Sequence, residues 1–332
     1  MKKAAFFGNN LRDLERVYAF GRKETVQRMA DFYGTVITQD NIGEHLDALS
    51  DVNYIFTTWG MFAPTEEQLD AMPELEAVFY AAGSVKGFAE SFLKRGIRVI
   101  SAANANAEFV ADYAASQIQL AAKGFFHNFR CGDYRSFDTR NSRGIEGMFE
   151  ICIGLIGAGF VGRKVISRLV SLPSIHLMVY DPFLSEEEAA SLGVKKASLE
   201  ELFRECLVVS NHAPNIPETV GMLRKEHFSV MKKNSTFINT GRGATVVEDD
   251  LTAVLSGRPD IVALLDVTWP EPPAEDSLLL KLPNIFYTTH IAGALGNEVC
   301  YMADLCIEDL KRIEKGEAPV YGVSLEALKR MA

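Results

Sequence analysis

Several things are scarce in this chain of 332 residues, and each scarcity removes a class of function. Cysteine is one: the five, at Cys131, Cys152, Cys206, Cys300 and Cys306, are scattered and odd in number. No Cys-x-x-Cys or Cys/His spacing is present, so neither a structural zinc site nor a disulfide framework is expected, and no metal is assigned. Reduced thiols in a cytoplasm are the simplest reading. Positive charge is also short. Lys and Arg number 34 against 44 Asp and Glu, a formal net charge of −10, which argues against nucleic acid as the main partner because phosphate backbones need clustered Lys/Arg. Apolar runs are short as well. None reaches the roughly 18 residues of a membrane span, and the apolar stretch after Lys2-Lys3 is too brief for a signal peptide and reads better as a first strand. Internal repeats and low-complexity segments are lacking.

The chain does carry glycine in one telling arrangement. Gly157-Ala158-Gly159-Phe160-Val161-Gly162 follows the apolar run 151–156 and precedes a helical pattern from about residue 163. The first glycine suits a tight turn, the second a close approach of backbone to a pyrophosphate, the third close packing of helix on strand. The helix that follows would present free N–H groups and a partial positive charge to phosphates. Asp181 lies about 20 residues on, at the end of the next strand-like run (177–180), where a carboxylate can accept from ribose hydroxyls and repels a 2′-phosphate. Pro182-Phe183-Leu184 offers no cation for such a phosphate, so NAD is favoured over NADP.

The chain is too long for one typical core, and two domains are the default. Residues 4–7, 35–38, 54–57, 77–80 and 98–100 read as strands, with helices between them such as 23–33 and 65–71. This alternation implies a parallel sheet with helices on its faces. Residues 106–126 read as one long, buried helix, with Asn104 and Asn106 as caps at its start. The segment 124–147 is rich in basic and aromatic residues but weakly periodic; functional and subunit-packing roles are both open. A second alternating series has strands at 151–156, 177–180, 207–210, 236–239, 262–266 and 285–288, the size of a complete dinucleotide-binding domain. A helix at about 297–315 is expected to return to the first domain. The expected division is therefore 1–103 plus 297–332 for the substrate domain and 104–296 for the inserted Rossmann domain, with ligand in the cleft between them.

Three motifs each follow a strand of the second series: Asn239-Thr240-Gly241-Arg242-Gly243, Asp266-Val267-Thr268-Trp269-Pro270-Glu271-Pro272, and Thr288-Thr289-His290-Ile291-Ala292-Gly293. Reduction of a 2-keto acid needs a cation to hold the carboxylate and polarise the carbonyl, for which Arg is the planar two-point donor. It also needs a proton donor, for which His is suited, and a carboxylate beside that His to stabilise its protonated form and fix its tautomer. One Arg, one Glu and one His occur in these motifs: Arg242 for substrate, Glu271 as the partner, His290 as the acid/base.

With the glycine motif, the acidic strand end and His212-Ala213-Pro214, this order resembles the D-isomer-specific 2-hydroxyacid dehydrogenases, from about residue 74 to 315. The resemblance implies two doubly wound α/β domains, a Rossmann NAD-binding domain inserted in a discontinuous flavodoxin-like substrate domain, and the same roles for Arg242, Glu271 and His290. It implies that Gly157, Gly159, Phe160, Val161, Gly162, Asp181, His212, Ala213, Pro214, Thr240, Asp266, His290 and Gly293 line the NAD site, Asp266 near the nicotinamide amide. It further implies that the Gly83-Ser84-Val85 loop holds the substrate carboxylate through backbone N–H groups, although the family's usual G-x-G-x-D-N is replaced by Gly83-Ser84-Val85-Lys86-Gly87-Phe88. Lys86 either meets a second anionic group or is solvated. Trp59 either walls the substrate pocket or packs between domains. A homodimer is implied, packed through the long helix and the 124–147 segment. The expected function is interconversion of a small 2-keto acid and a D-2-hydroxy acid. The rivals are an NAD(H)-sensing, corepressor-like binding protein, or another Rossmann enzyme such as a formate-dehydrogenase-like one, against which His290 argues.

Overall fold

The structure, a computed structural model, describes residues 1–131, 146–329 and 331. Most of the expected 124–147 segment thus lies outside the described residues. The chain divides into two compact units, Met1–Asn106 with Ala294–Ala332, and Ala107–Gly293. The borders fall just inside the expected ones at the second unit because Asn106 Oδ1 accepts the Ala294 N–H at 2.8 Å and ties both chain crossings to the first unit. This bond also corrects the expected role of Asn104 and Asn106. The helix Ala103–Ala122 begins before them, so neither is its cap.

In the first unit, strands β1 (Lys3–Phe7), β2 (Asp31–Phe32), β3 (Tyr54–Thr57), β4 (Ala77–Tyr80), β5 (Arg98–Ser101) and β13 (Gly322–Val323) pair in the order β13-β5-β4-β3-β1-β2. Apart from the antiparallel β13, the pairing is parallel, and the order 2-1-3-4-5 is that of a flavodoxin-like sheet. Strands β3 and β4 are buried at every position, as a sheet covered on both faces requires. The expected strand 35–38 reduces to one bridge between Phe7 and Ile37, and the helix expected to run to residue 33 ends at Met29, where Ala30 turns extended to enter β2.

In the second unit, β6 (Ile151–Ile156), β7 (Ile175–Tyr180), β8 (Lys195–Lys196), β9 (Val208–Asn211), β10 (Thr236–Asn239), β11 (Val262–Leu265) and β12 (Ile285–Tyr287) pair in parallel, in the order β12-β11-β10-β9-β6-β7-β8. Numbered within the unit this is 3-2-1-4-5-6 with one further strand, the Rossmann order, with its switch point between β6 and β9. Side chains of β6 alternate between two cores: Ile151, Ile153 and Leu155 join one, Ile156 the other. The long helix expected over 106–126 is two, Ala103–Ala122 and Phe125–Cys131, interrupted at Gly124 with φ +75°. The two-residue strands β2, β8 and β13 are too short to leave a periodic signal.

Candidate active site

The carboxyl ends of the second unit's strands lie in a row, and every motif singled out in that half of the sequence sits on this row. Asp181 follows β7, the glycine turn β6, His212 β9, Arg242 β10, Glu271 β11 and His290 β12. At a strand spacing of about 4.8 Å the row is about 24 Å long, the scale of an extended dinucleotide rather than of a small metabolite.

At one end, the helix Phe160–Leu169 starts directly from the glycine turn. Its core side is set by Gly162, Val165, Ile166 and Leu169, spaced as one helical face. A Cβ on Gly162 would fall 2.0 Å from the Gly157 carbonyl oxygen, so only glycine lets this helix lie so close. Gly157 adopts φ +93°, a left-handed turn. A Cβ on Gly159, by contrast, meets nothing within 4 Å: this side of the turn faces open space. No side chain caps the helix and no acid occupies its first turn, whereas Ser185 and Ser198 cap later helices of the same unit. Unsatisfied N–H groups and the helix dipole together favour an anion here. Phe160 is exposed beside it.

Asp181, expected at the ribose, is itself bonded to the glycine turn. Its Oδ2 accepts the Ala158 N–H at 2.7 Å and its Oδ1 the Phe183 N–H at 2.8 Å, so the carboxylate also braces the glycine turn. His212 is held by Ser210 Oγ at Nε2 (3.0 Å) and Thr240 Oγ1 at Nδ1 (3.1 Å). Both ring nitrogens are engaged, so this ring can meet a ligand only by its carbon edge or face. Burial pushes its pKa down to about 4 and the ring stays neutral. The Ala213 N–H is taken by Asn211 Oδ1 (3.1 Å), and the Pro214 carbonyl accepts from the Thr219 hydroxyl (2.5 Å).

At the other end, His290 Nδ1 meets Glu271 Oε1 at 2.8 Å, with both side chains nearly half exposed (48% and 41%). His290 has φ +58°, a conformation that costs a non-glycine residue energy unless its surroundings hold it. Asp266 holds it. Its carbonyl accepts the His290 N–H (3.0 Å), and its carboxylate accepts the N–H groups of Ile291 (2.8 Å) and Ala292 (3.0 Å) and the Thr288 hydroxyl (2.6 Å). Asp266 is 3% exposed, so the residue expected near the nicotinamide amide is engaged in building the histidine loop. Thr288 in turn meets Tyr113 Oη at 3.1 Å. Since the Thr288 proton goes to Asp266, Tyr113 is the donor there. Tyr113 and Thr288 carry no motif signal of their own.

Arg242 donates to the carbonyl of Gly241 (2.8 Å) and has no carboxylate within ion-pair distance among the described residues. Burial makes its charge costly and pushes its pKa down, and Glu271 opposes that shift. A partly buried guanidinium without an ion pair is a ready receptor for a carboxylate. Thr240 is buried at 8%, and Gly293 closes the second unit.

In the first unit, Gly83-Ser84-Val85 follows β4. The Gly83 carbonyl accepts from Ser101 Oγ (2.6 Å), and the N–H groups of Gly83 and Val85 donate to no described residue. Gly83 is not left-handed, and a Cβ there would meet open space. Val85 is fully buried and offers backbone only. Trp59 packs on the first unit's core with Arg16 over its ring at 5.8 Å.

Comparison with known proteins accounts for this arrangement. Residues 124–292 match the family model described as D-isomer specific 2-hydroxyacid dehydrogenase, NAD binding domain. The chain belongs to that family, and the second unit is its NAD-binding domain. Among its relatives, glyoxylate reductase of Korarchaeum cryptofilum is 30% identical over 268 residues, 79% of this chain and 80% of that protein. D-3-phosphoglycerate dehydrogenase of Archaeoglobus fulgidus is 31% identical over 236 residues, 71% of this chain; the match spans 44% of that relative's length. A phosphoglycerate oxidoreductase from Rhizobium etli superposes with a TM-score of 0.79, covering 99% of this chain and all of that one, a likeness of fold at 22% identity. The residues present fit NAD: an uncapped helix start beside an open glycine face for the pyrophosphate, and a carboxylate at the end of β7 for the ribose.

Proposed function

We propose that this protein is an NAD-dependent oxidoreductase that interconverts a small 2-keto acid and the corresponding D-2-hydroxy acid. The observation that carries this reading is the 2.8 Å Glu271–His290 pair beside an Arg242 that has no ion-pair partner among the described residues, on neighbouring strand ends. NAD(H), when bound, supplies or accepts the hydride. Arg242 binds the substrate carboxylate and polarises its carbonyl through two of its fixed donors. Glu271 accepts a hydrogen bond from the His290 Nδ1–H, which fixes the tautomer and leaves Nε2 to exchange a proton with the substrate oxygen. The Gly83 and Val85 N–H groups are suited to a carboxylate as well. No second reading is favoured by an observation here. The helices Ala103–Ala122 and Phe125–Cys131 leave Leu120, Phe125 and Phe129 exposed, the two Phe rings stacked at 5.8 Å, and a homodimer through this face belongs to the same proposal.

The test is a panel of glyoxylate, hydroxypyruvate, pyruvate, bulkier 2-keto acids and 3-phosphoglycerate with NADH or NAD, run on the native chain and on His290→Ala. The variant should lose at least about 10³-fold in kcat, the range of general acid–base catalysis, while NADH still quenches protein fluorescence with native affinity. Undiminished kcat in His290→Ala, or no turnover of any substrate by native protein that binds NADH, would overturn the reading.

A further inference from the structure

Beneath Arg242 lies a buried polar network that the motif reading leaves unassigned. Asn211 ends β9, Asn239 ends β10, and Thr245 closes the short turn Gly243–Thr245 after the arginine. All three are buried to within 1%. Asn211 Oδ1 already accepts the Ala213 N–H, so its amide nitrogen must serve the other two contacts: it donates to Asn239 Oδ1 (3.0 Å) and to Thr245 Oγ1 (2.8 Å). The Thr245 hydroxyl, having accepted that bond, gives its single proton to the Arg242 carbonyl (2.7 Å). Asn239 Nδ2 donates to the same carbonyl at a longer 3.3 Å, and Asn239 Oδ1 accepts the Gly241 N–H (3.1 Å). The Arg242–Gly243 peptide and, one unit before the arginine, the Thr240–Gly241 peptide are therefore held by side chains, and the donor direction is determined at each link.

We infer that Thr245 is a positioning residue for Arg242 and that Asn211 joins it to the His212-Ala213-Pro214 turn, so that one buried amide sets the arginine and the cofactor-side loop in register. The inference rests on the reading of Arg242 as the residue that binds the keto acid. Of the three donors to the Arg242 carbonyl, the Thr245 hydroxyl is the short one; Asn239 Nδ2 and the Thr245 N–H both stand at 3.3 Å. Removing it leaves that oxygen with its two 3.3 Å bonds and leaves one Asn211 N–H buried without an acceptor, a penalty that moving the arginine backbone can relieve. The Ala213–Asn211 bond is untouched, so the cofactor side should not respond.

Steady-state kinetics and NADH titration of Thr245→Val, Thr245→Ser, Arg242→Gln and the double variant Thr245→Val/Arg242→Gln test this. Thr245→Val should raise KM for the keto acid about tenfold with a smaller change in kcat, at the scale of one unsatisfied buried group, and leave the NADH dissociation constant unchanged. Thr245→Ser, which restores the hydroxyl, should return KM to near the native value. In the Arg242→Gln background, Thr245→Val should have no further effect on kcat/KM, because a residue that acts through Arg242 has nothing left to act on. An unchanged KM in Thr245→Val beside a crippled Arg242→Gln would overturn the positioning role, as would equal losses of Thr245→Val in both backgrounds or a parallel loss of NADH affinity. A native KM in Arg242→Gln would instead overturn the reading of Arg242 itself. Thr245→Ala, which removes the hydroxyl without the added methyl, carries the same expectations if the valine variant does not fold.

Discussion

The two units place a helix after their first strand in the same topological position, and they finish it in opposite ways. In the first unit, β1 leads to the helix Leu11–Val17, whose start is sealed: Asn10 Oδ1 accepts the Asp13 N–H, and Asp13 puts a carboxylate in the first turn. In the second unit, β6 leads to Phe160–Leu169, whose start has Gly159 at the cap position, no side-chain acceptor and no acid. The fold is common to both; what differs is whether the chain satisfies its own helix or leaves the N–H groups for an anion. The same contrast extends along the strand ends. Those of the first unit bury short hydroxyls, Thr58 and Ser101, that bond nearby carbonyls. Those of the second carry Arg242, Asp266 and His212, groups that burial penalises unless they are held or used.

The strongest way to break this comparison is to give the second helix the ending of the first. Gly159 has φ −76° and ψ −159°, which any residue can adopt, and open space where its Cβ would stand. Gly159→Asp should therefore fold, gain a self-cap, and place a negative charge where the pyrophosphate is expected. Its NADH dissociation constant should rise about 100-fold or more, ~2.7 kcal/mol, with an unchanged or slightly higher melting temperature. Native NADH affinity in a folded Gly159→Asp would remove the functional meaning of the open end.

How far this contrast was legible beforehand depends on the kind of signal. Both sheets, and the glycine, Arg, Glu and His motifs, could be read because parallel strands buried on both faces are continuous apolar runs and because ligand residues cluster just after them. The spacing of motifs says nothing about which nitrogen of a ring is already bonded, so it could not show that two hydroxyls hold His212. Nor could it show that Asp266 builds the histidine loop, because its three backbone acceptances come from residues far along the chain. Asn211 and Asn239 did leave a signal: each is an amide ending a short buried strand, VVSN and TFIN, at the edge where ligands bind. Tyr113 left none, since one tyrosine in a helix otherwise rich in alanine reads as packing. The strand expected at 35–38 failed for a further reason: tertiary pairing selected the two residues nearest β1 and left Ile37 a single bridge.

The neutral, largely but not fully buried His212 gives a second, smaller lever, through pH. Its pKa is about 4 in the fold against an ordinary 6.5. Between those values the unfolded chain binds a proton that the folded ring refuses, so stability falls as pH drops from 6.5 toward 4 and is flat with respect to this group below that. For a partly exposed ring the loss is up to about 2 kcal/mol. His212→Gln should show a correspondingly smaller drop in melting temperature between pH 7 and pH 4.5 than the native chain. His227, whose pKa burial also lowers, is present in both proteins and cancels in the difference. Identical pH slopes in the two proteins would show that His212 is not the strained group.

The smallest expected effect is the control that gives the first its meaning. Asn10→Ala unseals the first unit's helix, removing the bond from the Asp13 N–H and the 2.5 Å bond from Asn10 Nδ2 to the Asp13 carboxylate. An N-cap of this type contributes about 1 kcal/mol, and less where its bond is as long as the 3.3 Å found here, so about 0.5–1 kcal/mol of stability should be lost, read as a lower denaturant midpoint. NADH affinity should not change, because an uncapped start alone makes no dinucleotide site: β1 is not followed by the glycine turn that opens the way to the N–H groups, and Asp13 still faces them. If Asn10→Ala instead alters NADH binding, the first unit takes part in holding the cofactor, and the contrast between a sealed and an open helix cannot be what separates the two units' roles.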